Sequence, residues 1–341
     1  MNRNYYLLIA SFLLLLGCNS DTQQNDSETS AQTVSFLGRN IDLKPYVEGF
    51  PYSRLTPSYD ARKLFYMKSG ATTQLMAVDL VGQPVLAQGN PISDIDYSKR
   101  NIGGMTYNKA DGKLYWRGDE VNDEIFNIYR LNIESGELEK LTDVPYIFGW
   151  HMNEAQDKIA YVARLGNKED RLGELRILDL KTGEEEAIIQ DTPEMRYTWG
   201  SPSWQPDGKG VVLNAVQNAD RTYGNLVYVD LEYKKQKTLL TKDKPRYFPS
   251  ANQKWEDEST FVYFSNEDGF RNAYTFNLLR TSYQQLTNFE IDFGDEEILE
   301  LDGEKYLFGT TSNPIKTTLY LINLAKGENK LQQDCEENIK V

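Results

Sequence analysis

An arginine beside an aromatic residue recurs along the chain, in Tyr52-Ser-Arg54, Arg196-Tyr197-Thr-Trp199 and Arg246-Tyr247-Phe248. Arg100 follows Lys99 in a related place, and Tyr146-Ile-Phe-Gly-Trp150-His151 carries the aromatics without the arginine. A guanidinium fork matches a carboxylate or a phosphate, and the faces of Tyr and Trp suit a sugar ring or a peptide side chain. Gathered in one place, Tyr52, Arg54, Arg100, Tyr146, Trp150, His151, Arg196, Tyr197, Trp199, Arg246 and Tyr247 would form a mouth for an anionic ligand. Scattered, the same residues would be salt bridges and packing at the starts of strands. The residue types leave both open.

Catalytic patterns are scarce. No Gly-x-Ser-x-Gly elbow occurs, and the single histidine, His151, lies mid-chain instead of after a serine and an acid. One histidine rules out His-based metal sites of the His-Glu-x-x-His kind and the histidine clusters of metal-dependent lyases. Asp94 and Asp96 are oxygen donors without the spacing of a calcium loop. Glycoside hydrolysis needs only two carboxylates, but among 51 acids no spacing selects a pair. No catalytic residue, metal or cofactor is therefore expected. The formal charge of −14, from 37 bases and 51 acids, argues against a nucleic-acid partner. With 40% apolar and 12% aromatic residues in 341, the chain is rich enough to fold around a substantial core.

The elements that must position these residues repeat. A short apolar run ends in Asp or Asn followed by Leu or Ile at Asp79-Leu80, Asn132-Ile133, Asp179-Leu180, Asp230-Leu231, Asn277-Leu278 and Asn323-Leu324. The six markers are 53, 47, 51, 47 and 46 residues apart, a period typical of repeat architectures. Before each marker a turn such as Asp111-Gly112 or Asp207-Gly208 leads into a β-rich run, and after it a polar turn leads into another. Four short strands per repeat and no helical period predict an all-β, six-bladed β-propeller of four-stranded blades. Trp116, Trp204 and Trp255 are expected to pack between blades.

Ser201-Pro202-Ser203-Trp204-Gln205-Pro206-Asp207-Gly208-Lys209 and Ser265 to Leu278 resemble the repeat of the TolB-like (WD40-like) propeller family. That resemblance implies a domain that works through protein contacts. Enzymes of the prolyl-oligopeptidase type carry a similar propeller beside a hydrolase domain; only eight residues follow Gln333 here, so the expectation is a propeller without that partner. The expected function is a non-catalytic binding or scaffold module for a protein, peptide or anionic glycan. The alternatives are a propeller enzyme using channel carboxylates on polysaccharide or peptide, and the propeller subunit of a peptidase.

The N-terminus reads as an address. Arg3 precedes the apolar run Tyr5 to Leu16, which is short for a membrane span, and Leu15-Leu16-Gly17-Cys18 resembles the lipobox of bacterial lipoproteins. Residues 1–17 are then a signal peptide, Cys18 is lipidated, and 18–33 form a flexible polar tether. The propeller is expected over 34–334 and a tail over 335–341. Asn19 after the cysteine points to the outer membrane of a bacterial envelope, so the membrane itself is a partner through the lipid. Only Cys335 then remains, which leaves no intrachain disulfide. Val34 to Leu43 is expected to add a strand to the last blade, and Phe293 to Glu300 departs most from the first-strand pattern.

Overall fold

The computed structural model describes residues 33–36, 39–42, 51–81, 86–166, 172–217, 224–241, 247–249, 255–313, 316–327 and 329–335. The expected signal peptide and Cys18 lie outside them. The chain divides into two compact units between Phe50 and Pro51. In the first unit, β1 (Thr33–Phe36) and β2 (Arg39–Asp42) pair antiparallel as a two-stranded sheet, with Phe36 opposite Arg39. This corrects the expectation that Val34 to Leu43 joins the last blade. Pairing with the adjacent segment closes a far shorter loop than reaching a strand nearly 300 residues away.

The second unit is six antiparallel sheets, each laid down in chain order without strand exchange. Blade 1 is β3 (Tyr52–Pro57), β4 (Lys63–Ser69), β5 (Thr73–Asp79) and β6 (Asn90–Pro91). Blade 2 is β7 (Ile102–Asn108), β8 (Lys113–Gly118), β9 (Asn127–Leu131) and β10 (Leu138–Lys140). Blade 3 is β11 (Tyr146–Met152), β12 (Lys158–Leu165), β13 (Leu172–Asp179) and β14 (Glu185–Gln190). In blade 4 the first strand is split into β15 (Met195–Tyr197) and β16 (Ser203–Trp204), followed by β17 (Gly210–Gln217), β18 (Gly224–Asp230) and β19 (Lys235–Thr241). Blade 5 is β20 (Tyr247–Pro249), β21 (Thr260–Ser265), β22 (Asn272–Asn277) and β23 (Ser282–Gln285). Blade 6 is β24 (Phe293–Leu301), β25 (Glu304–Ser312), β26 (Thr317–Asn323) and β27 (Asn329–Cys335). The segment from Phe293 is thus a full first strand, and the fold is the expected six-bladed β-propeller. Its last strand runs to Cys335, one residue past the expected end.

Side chains alternate across each sheet, and in blades 2 to 5 both faces are covered by the neighbouring blades. In β8, Leu114 and Trp116 enter a core shared with Phe65 and Leu75 of blade 1, while Tyr115 between them joins Ile147 and Tyr161 of blade 3. Three further cores join blades 3 and 4, 4 and 5, and 5 and 6 in the same way. No such core among the described residues joins blade 6 to blade 1. Trp116, Trp204 and Trp255 are each buried in one of these cores, as expected.

Two of the connections between blades, 2 to 3 and 5 to 6, are held by the same side-chain latch. Buried Asn127 opens β9; its Oδ1 accepts from Thr142 Oγ1 at 2.9 Å and Val144 N at 3.0 Å, and its Nδ2 donates to Val144 O. Asn272 does the same with Thr287 and Phe289 at the start of β22. The latch fixes the chain just before the next blade begins.

Trp255 tests the inter-blade core. Its ring packs on Phe261 and its Nε1 donates to Ser203 Oγ of blade 4 at 3.1 Å. Trp255→Ala should lower stability by about 3–5 kcal/mol, read as the shift of the urea midpoint; a loss below about 1 kcal/mol would contradict the packing described.

Candidate functional site

In an antiparallel blade the first strand starts beside the end of the second. The starts of first strands, the hairpins joining second to third strands and the connections between blades therefore emerge on one face. On that face a cavity of about 440 Å³ opens where blades 1 and 2 meet, with Arg54, Tyr97, Arg100, Arg117, Glu124 and Phe126 in its lining. Three cations face one carboxylate.

The backbone is specialised there. Arg54 sits in a bulge of β3 with φ at 56°, and Asn122 and Glu124, in the β8–β9 hairpin, have φ of 59° and 61°. Left-handed conformations in residues other than glycine cost on the order of 1–3 kcal/mol each and need support from their surroundings. Buried Asp119 supplies it in the hairpin. Its carboxylate accepts from Asn101 N at 2.8 Å, Asn101 Nδ2 at 2.7 Å, Asn122 N at 3.0 Å and Glu124 N at 3.1 Å. Burial opposes the charge, but these donors outweigh it and hold the Asp119 carboxyl below its ordinary range.

Arg117 ties the cavity to an aromatic cluster. Its Nη1 donates to Ile147 O at 3.0 Å and Phe148 O at 2.7 Å, and its guanidinium lies 4.8 Å from the ring centre of Phe126 and 5.9 Å from that of Trp199. Burial lowers its pKa, yet a guanidinium stays charged. Tyr146 packs edge-on against Phe126 at 5.3 Å and Trp199 at 5.4 Å. Trp199, in the break between β15 and β16, is 52% exposed. That break depends on close backbones: a Cβ on Gly149 would lie 2.0 Å from Gly200 O, and Gly200 has φ of 133°.

The structure thus brings together Arg54 and Arg100, and beside them Tyr146 and Trp199. Other expected members are committed elsewhere. Arg196 Nη1 pairs with the buried Asp191 at 2.9 Å, and Tyr197 is buried with its hydroxyl on Gln236. Tyr52 packs edge-on against Tyr66. Trp150 packs against the core between blades 2 and 3, because a bulge between Ile147 and Gly149 turns it to the face of Ile147. His151 donates from Nδ1 to Met152 O at 2.8 Å, and burial pushes its pKa down to about 4, so it is neutral at pH 7. Arg246 and the side chain of Tyr247 lie outside the described residues. Asp96 accepts from Thr73 N and Ser98 N as a turn residue.

Arg117 and Asp119 were not among the expected site residues. The available signal was a basic residue next to last in the second strand of three successive blades: Lys68, Arg117 and Arg164.

Residues 164–339, just over half the chain, match the family described as the dipeptidyl peptidase IV (DPP IV) N-terminal region. The chain belongs to that family. The match begins in β12, so all the residues lining the cavity precede it. No curated protein matches the chain in sequence. Among solved structures, a prolyl endopeptidase superposes with a TM-score of 0.60 at 12% identity, over 90% of this chain and 51% of that one. Prolyl oligopeptidase B from Galerina marginata gives 0.60 at 14%, over 83% and 43%. An oligogalacturonate lyase from Vibrio parahaemolyticus gives 0.50 at 19%, over 65% and 62%. These likenesses show a shared propeller fold, and the chain spans less than two thirds of each of these three relatives.

Asp119→Asn is expected to reduce stability by about 1–3 kcal/mol at pH 7. A depressed folded-state pKa stabilises above the unfolded value, so this deficit should shrink as the pH falls through the folded pKa, below 3.8. Urea titrations of both proteins at pH 7 and pH 3 measure it; an equal deficit at the two values would count against the clamp.

Proposed function

We propose that this chain is a non-catalytic propeller that captures an anionic glycan at the cavity between blades 1 and 2, held at the outer membrane by a lipid on Cys18. One observation carries the binding reading. Arg54, Arg100 and Arg117 line a single cavity, and none pairs with a carboxylate among the described residues. Arg130, Arg176, Arg196 and Arg271 each do. Arg280, in an exposed turn of blade 5, is the other arginine, besides Arg164, whose side chain is described and has no such pair. In a chain with 14 more acids than bases, three cations without an ion-pair partner among the described residues, against one carboxylate in the same lining, leave net positive charge available to a ligand.

A glycan is favoured because aromatic rings border the cations, and because an oligogalacturonate lyase shares the fold. Such an oligomer carries one carboxylate per sugar. Glu124 is the one carboxylate in the lining among the described residues, whereas two-carboxylate glycoside chemistry needs a pair. This supports capture over cleavage.

Isothermal titration with polygalacturonate, and with uncharged dextran as control, tests the site. The double variant Arg54→Ala/Arg100→Ala removes cations with no ion pair to lose, so folding should persist while affinity falls at least about ten-fold. Unchanged affinity would remove the cavity from the account. For the anchor, Cys18→Ser should abolish incorporation of labelled palmitate in a bacterial host; retained label would refute lipidation at that residue.

A further inference from the structure

The cationic surface does not stop at the cavity. The second strands of blades 1, 2 and 3 carry Lys68, Arg117 and Arg164 next to their last residue, where blades 4, 5 and 6 carry Val216, Phe264 and Thr311. Positive charge at this repeat position is thus confined to one side of the ring.

Each of the two arginines is paired with a ring. The guanidinium of Arg164 lies 5.0 Å from the ring centre of Tyr146, its cross-strand neighbour. Arg117 lies over Phe126, and Tyr146 touches both Phe126 and Trp199. The result is a continuous band from the Arg54 and Arg100 cavity, past Arg117, to Arg164 and the half-exposed Trp199. Among the described residues neither Arg117 nor Arg164 has a carboxylate partner, and Arg164 Nε is buried without any hydrogen-bond partner.

Resting on the cavity reading above, we propose that this band binds a linear acidic polysaccharide along its length. One carboxylate sits at the Arg54 and Arg100 cavity, later ones at Arg117 and Arg164, and a sugar ring lies against Trp199. Evenly spaced carboxylates on flat rings match alternating cations and aromatics; an acidic peptide offers the charges but not the rings. A ligand of this kind gains affinity with length until the band is filled.

Titration calorimetry of the mature protein with mono-, di-, tri- and tetragalacturonic acid, beside poly-L-glutamate, tests this. Affinity should rise at least about ten-fold from the monomer to the trimer, one further carboxylate pairing being worth that order. Arg164→Gln should erase the gain for the longer oligomers and leave the monomer within about two-fold. Trp199→Ala, with its urea midpoint measured alongside to confirm folding, should likewise weaken only the longer ones. Affinity independent of length, equal binding of poly-L-glutamate, or uniform weakening by Arg164→Gln at every length would overturn the extended band. Length-independent binding of the monomer would still leave the cavity reading standing; no binding of any galacturonate would remove both.

Discussion

No blade of this propeller can keep its sheet dry alone. Short strands of two to nine residues present two apolar faces, and only a neighbour on each side covers them. Leu114 and Tyr115, adjacent in sequence, illustrate the demand by burying themselves toward opposite blades. That requirement stands blades side by side, and it sets every first-strand start on the same face. Residues far apart in sequence are thereby brought within contact distance, as Arg117 of blade 2 meets the carbonyls of Ile147 and Phe148 in blade 3 and the ring of Trp199 in blade 4.

Electrostatics then separates structural from available cations. Arg196 and Arg54 look alike in sequence, each beside a tyrosine. Arg196 finds Asp191, whose carboxylate also accepts Tyr197 N, and the three form a closed group. Arg54 instead projects from a bulge with a left-handed backbone and lines a cavity. Asp119 directs its charge at Asn101 and at backbone donors of its own hairpin, so it shapes the wall without neutralising the arginines.

Much of this was legible in the sequence because it is local. The Asp or Asn marker, the hairpin glycines and the apolar runs report strand order and blade number. The positive φ of Gly112 and Gly208 is what their Asp-Gly turns demanded. What escaped is set by partners distant in sequence or by a one-residue shift. Tyr146 and Trp150 occupy one motif, yet the bulge at Phe148 turns Trp150 against the core of blades 2 and 3 while Tyr146 joins the aromatic cluster. Arg117 sits inside an apolar strand, where attention to strand starts passes over it. The hairpin of β1 and β2 follows from contacts between neighbours, a choice that position in the chain alone does not reveal.

The central claim is that the unpaired arginines of blades 1 to 3 are kept for an acidic ligand. A crystal structure of the protein soaked with trigalacturonate addresses it most directly. The account requires one carboxylate within hydrogen-bond distance of Arg54 or Arg100 and another at Arg117 or Arg164. Sugar density at another part of the surface, with these arginines untouched, would contradict it.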